Sequence, residues 1–77
     1  MKSNIEWYVI EKVVLKRKQL GISQNDIAEV LGVSKGFIGK VESIKTKSHY
    51  NLNHINLLSQ FFKCSPKFFL PNKFMKS

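Results

Sequence analysis

Two lysines and a phenylalanine stand close together near the middle of the chain, in the run Ser34-Lys35-Gly36-Phe37-Ile38-Gly39-Lys40-Val41-Glu42. A lysine ammonium donates to the O6 and N7 acceptors of guanine, and a phenyl ring can contact the methyl group of thymine. If the run is helical, Lys35, Gly36, Gly39 and Lys40 share one face, with no acid between the lysines. Ile38 and Val41 then point inward. Gly36 has no side chain and reads nothing by itself; it lets the helix sit deeper, or lets Phe37 and Lys40 reach. With so few candidate readers, phosphate contacts and DNA shape are expected to carry much of any binding. The bland alternative is that both lysines are merely solvated. Phe37 also fits a stripe with Val33 and Val41, so burial and outward contact compete for it.

Such a face acts only if something holds it rigidly. The chain is cut into five pieces by Gly, Pro and short polar clusters. The first runs from about Asn4 to Leu20. Ser3 and Glu6 are spaced for a capping box, Ile10, Val13, Val14 and Arg17 recur at helical spacing after Trp7, and Gly21 suits the stop. The second, Ser23 to Leu31, has Ser23 as N-cap, Asp26 at the capping-box position, and Ile27, Val30 and Leu31 as its apolar stripe. The third, Ser34 to Glu42, has Ser34 as N-cap. Its two glycines cost roughly 1 kcal/mol each against Ala, so it must lean on tertiary packing. A polar, basic stretch from Ser43 to Asn51 reads as a loop. Asn51 or Asn53 caps a fourth helix to about Phe62, with Ile55, Leu58 and Phe61 or Phe62 inside. Ser65-Pro66 opens a short fifth helix through Phe69 or Leu70, and Pro71 stops it. One domain is expected over 1–77, with its core at about 5–70 and a frayed tail at 71–77.

Gly32-Val33-Ser34 joins the second and third pieces. A turn this short, containing Gly, between two short helices is a helix-turn-helix signature. Gly32 lets the chain reverse, Val33 plugs the corner, and Ala28 allows close crossing. Ile27, Leu31, Ile38 and Val41 fuse the pair.

The charge points the same way. Thirteen basic residues face five acidic ones, a net charge of +8, and from Ser43 to Ser77 there are lysines and no acid at all. A half of one sign suits a polyanionic partner, nucleic acid or an anionic membrane surface. The lysines are spread between elements and do not line one amphipathic helix, which disfavours the membrane.

The spaced set Arg17, Gly21-Ile22-Ser23-Gln24, Ile27-Ala28, Leu31-Gly32-Val33-Ser34, Ile38 and Val41-Glu42 resembles the Cro/C1-type (Xre) helix-turn-helix family. Ile55 and Leu58, followed by Cys64-Ser65-Pro66 and Phe69-Leu70, are similar to that family's last two helices. The resemblance implies an all-α, five-helix, lambda-repressor-like fold that binds double-stranded DNA, commonly as a dimer. It implies that Gln24 sits on a phosphate at the start of helix two and that Ser34 caps helix three and touches phosphate. Lys35, Gly36 and Lys40 take base-reading positions, Phe37 one that often faces DNA. It puts Lys45 and Lys47 in a loop that grips backbone, and pairs Arg17 with Glu42 in a salt bridge tying helix one to the end of helix three. The sequence departs from the family at Ile44, where Gly is usual, and in a longer loop before helix four. The exit from helix three must therefore differ.

Other chemistry finds little support. His49 and His54 are not spaced for one helix face and Cys64 is isolated, so no metal site is expected. No nucleophile–base pair, Gly-rich phosphate loop or paired catalytic carboxylates occur, and the chain reads as non-enzymatic, without cofactor. A lone cysteine argues for a reducing, cytoplasmic setting. Phe61, Phe62, Phe68, Phe69, Leu70, Phe74 and Met75 are many apolar groups for one end of a small protein. They favour a homodimer through the C-terminal region. The second functional reading is an antitoxin or protein-interaction module whose partner binds that aromatic patch.

Overall fold

Each helix begins where a short polar side chain can satisfy its free amides. In the computed structural model, which describes residues 1–77, the Ser3 hydroxyl accepts from the Glu6 amide and the Glu6 carboxylate accepts from the Ser3 amide. This capping box opens α1, Asn4–Gln19. Ser23 and Asp26 form the same box and open α2, Gln24–Leu31. Ser34 accepts from the Phe37 amide and opens α3, Lys35–Glu42. Asn51 opens α4, Leu52–Phe62, through a reciprocal pair with His54. The stops are equally local. Gly21 and Gly32 turn the chain at φ 68°, and Lys63 ends α4 at φ 57° despite its Cβ.

The expected short fifth helix is a single 3₁₀ turn, Pro66–Phe69, so the α-helices number four. Pro66 has no amide to donate and Pro71 follows within five residues, so only i→i+3 bonds close, from Phe68 to Ser65 and from Leu70 to Lys67. The architecture is thus four α-helices and one 3₁₀ turn, with no strand.

One core joins them. Ile10 and Val13 of α1, Ile27 and Ala28 of α2, Ile38 and Val41 of α3, Leu58 of α4 and Phe69 of the 3₁₀ turn are all fully or almost fully buried. Phe62 is the inner phenylalanine of its pair, and Phe61 is exposed. Val9 and Tyr50 also belong to the core, although the periodicity did not mark them. The tail beyond Leu70 carries no helix, and the Lys76 carbonyl accepts from Asn4 Nδ2 at 2.9 Å.

Candidate nucleic-acid interface

The corner between α2 and α3 is built from three residues. Gly32 takes a left-handed conformation and donates to the Glu29 carbonyl, and the Val33 amide donates to the Ala28 carbonyl at 3.0 Å. Val33 packs half-buried against the core, and Ala28 is buried where the helices cross. Ile27, Leu31, Ile38 and Val41 lock the two helices into one body.

That body holds one face of α3 outward. Lys35, Gly36 and Lys40 are exposed, Gly39 is half-exposed, and no acid lies among them. Phe37 stands at the edge of this face, half-buried, its ring 5.8 Å from that of His54. The packing of the protein does not need either glycine. A Cβ at Gly36 would meet only the Ser34 hydroxyl, at 3.9 Å, and one at Gly39 would meet nothing. Two residues that weaken a helix of eight therefore keep its outer surface bare.

Arg17, Glu42 and Gln24 tie α1, α2 and α3 together. Arg17 Nε and Nη2 donate to the two carboxylate oxygens of Glu42 at 2.9 and 2.7 Å, and Nη1 donates to the Ile22 carbonyl. Both side chains of the pair are nearly buried, at 11% and 12% exposure. Gln24 Nε2 donates to Glu42 Oε1 at 2.9 Å. Burial alone would raise the Glu42 pKa, but the bonds from Arg17 and Gln24 outweigh it and hold the carboxyl below its usual range. The Glu42 hydrogen bond in turn holds Arg17 more firmly charged. Gln24 thus spends one amide hydrogen on Glu42 and keeps a second for an outside acceptor. Ser34 spends its oxygen on the Phe37 amide and keeps its hydroxyl hydrogen.

The exit from α3 is solved by a residue that no motif marked. Ser43 ends the helix in an extended conformation, so no left-handed residue supplies the stop. Lys2 reaches across from the start of the chain instead. Its Nζ donates to the carbonyls of Lys40, Ser43 and Thr46 and lies 3.3 Å from Thr46 Oγ1. The indole of Trp7 lies 4.8 Å beneath it. Lys2 is 7% exposed. A cation there meets both the free carbonyls and the negative end of the helix dipole. Lys45 and Lys47 stand exposed on the loop that follows.

His54 and Tyr50 are further supports that spacing alone did not reveal. The His54 ring lies against Phe37 on one side and, edge-on at 6.0 Å, Tyr50 on the other. Its Nδ1 accepts from the Asn51 amide, which requires the neutral ring. Burial, with a smaller contribution from nearby His49, lowers its pKa. Tyr50 buries its hydroxyl without a hydrogen-bond partner, and that burial raises its pKa.

A tight corner, a helix locked on one side and a bare basic face on the other define a helix-turn-helix DNA-binding domain. The sequence model of the helix-turn-helix family matches residues 15–69. The chain belongs to this family, the Cro/C1-type or Xre helix-turn-helix proteins. Comparison with curated proteins and with solved structures returned no match. No helix is long and apolar enough to cross a membrane.

Proposed function

We propose that the chain is a sequence-preferring, double-stranded DNA-binding transcriptional regulator that inserts α3 into the major groove and acts by occupying an operator. The bare face of α3 carries this reading: Lys35 and Lys40 flank two glycines that the fold does not require. Lys35 and Lys40 address base edges or phosphates, Phe37 a thymine methyl from the rim. Gln24 offers its free amide hydrogen to a phosphate and Ser34 its hydroxyl, while Lys45 and Lys47 add backbone contacts. Acting as a homodimer, two copies of α3 would fall about 34 Å apart, one helical turn of DNA. Such a protein works in the cytoplasm without catalysis.

For the dimer, Phe61, Phe74 and Met75 remain exposed at the C-terminal end, whereas Phe62 and Phe69 are consumed by the core. A second reading, an antitoxin or protein-interaction module whose partner binds the aromatic C-terminal patch, draws support from the same exposed Phe61, Phe74 and Met75.

Fluorescence anisotropy with a random duplex tests binding, and selection from a random pool tests preference. Binding to the random duplex is expected at about 10⁻⁴–10⁻⁶ M at physiological salt and to weaken steeply as salt rises, and selection is expected to enrich a site with two half-sites. Salt-independent binding, or a selected pool no different from the input, overturns the proposal.

A further inference from the structure

We infer that Lys2 is a positioning residue for DNA binding, which sets the loop carrying Lys45 and Lys47 by caging the carbonyl end of α3. The inference rests on the DNA-binding reading above and adds to it a residue that touches no DNA. A nearly buried ammonium is costly unless it is surrounded by acceptors. Here the carbonyls of Lys40, Ser43 and Thr46 converge on Lys2 Nζ, the Thr46 hydroxyl lies alongside, and the Trp7 ring closes the remaining side. The Thr46 hydroxyl also donates to the Lys40 carbonyl, so the same cage binds the last turn of α3 to the loop.

Little else fixes that loop. Apart from the Ser43 amide and Thr46 hydroxyl on Lys40 O and the Lys45 amide on Ser43 Oγ, its order comes from the Lys2 cage and from His49, whose ring meets the Lys47 carbonyl and lies 3.4 Å from the Glu6 carboxylate. Ile44, between the cage and Lys45, is exposed and anchors nothing. Without Lys2, the Ser43 and Thr46 carbonyls turn to water, the Lys40 carbonyl keeps only the Ser43 amide and the Thr46 hydroxyl, and Lys45 and Lys47 lose their fixed bearing. An N-terminal lysine thereby replaces the left-handed glycine that would otherwise end α3.

The test compares the wild type, Lys2→Met, the pair Lys45→Ala/Lys47→Ala, and the combination, by anisotropy on a random duplex over a salt series. If each loop lysine meets one phosphate, the pair should flatten the log–log salt slope by about two units. Lys2→Met should flatten it by at least about one unit, and the pair should then subtract less than half as much as in the wild type. An unchanged slope for Lys2→Met, or equal subtraction in both backgrounds, overturns the inference. Amide exchange gives a readout independent of DNA. The bonded amides of Ser43 and Lys45 should exchange at least about tenfold faster in Lys2→Met, with α1 and α2 unchanged. Equal exchange overturns the role of Lys2 even if the wild type proves not to bind DNA, a result that would sink the DNA reading itself. Should Lys2→Met fail to fold, Thr46→Val removes one wall of the cage; faster exchange of the Ser43 and Lys45 amides is expected, and unchanged exchange overturns the inference.

Discussion

Replacing Gly39 by alanine should make the protein more stable and a poorer DNA binder. Gly39 sits in the interior of α3, where alanine is favoured by about 1 kcal/mol through the conformational entropy of the unfolded chain. A Cβ at that position meets no atom within 4 Å, so no clash subtracts from the gain. For a domain of this size, about 1 kcal/mol raises Tm by roughly 4–8 °C. The same methyl lies between Lys35 and Lys40 on the exposed face and would hold the helix off the groove floor. Loss of one well-placed base contact is worth about 1–3 kcal/mol, so affinity should fall about tenfold or more. Thermal unfolding by circular dichroism and anisotropy on a selected duplex read the two effects separately. A stabilised variant that binds DNA as well as the wild type refutes the claim that this face approaches DNA. A destabilised one refutes the claim that the fold does not need the glycine.

Other substitutions probe the supports. Lys40→Ala should flatten the salt slope by about one unit if it meets a phosphate, and an unchanged slope and affinity would remove it from the interface. Glu42→Gln leaves the Arg17 charge nearly buried with a neutral partner and should cost about 3 kcal/mol in chemical denaturation. Because the folded Glu42 pKa lies below its ordinary 4.5, the stability it contributes is full above that value and is lost as pH falls through the folded pKa. His54 also has a folded pKa below its ordinary 6.5, so its contribution is full above pH 6.5 and drains as pH falls through that window. His54→Gln keeps an acceptor at the capping-box position and should flatten the stability profile there; a profile as steep as the wild type's counts against this assignment. Tyr50→Phe removes a buried hydroxyl that has no partner and should leave stability unchanged or raise it by about 1 kcal/mol.

The parts that could be read from the sequence were those governed by local chemistry. Ser3, Ser23, Ser34 and Asn51 are caps because their side chains fit amides three residues on, and that spacing is visible in the chain. The corner at Gly32 and the inward stripe of α3 follow from turn geometry and period. What stayed hidden depends on residues far apart in sequence. No motif involves Lys2, and only the fold brings it to Ser43 and Thr46, more than forty residues away. Gln24 is expected at a phosphate from the resemblance, but nothing in the spacing shows that Glu42, eighteen residues later, orients it. Val9 is buried although it flanks the main stripe of α1, and Phe68 is shielded by Lys12 and Lys16 of the same helix. The short last helix lies where Ser65-Pro66 and Pro71 put it, and its 3₁₀ form follows from two prolines so close together.

Amide chemical shifts followed by NMR while a duplex is added report which surface of the protein meets DNA. Shifts should concentrate at Gln24, Ser34 through Lys40, and Lys45 through Lys47. Shifts confined to the apolar groove beside Ile5, Leu52 and Leu70, or to the exposed C-terminal aromatic residues, with α3 silent, would contradict docking through α3.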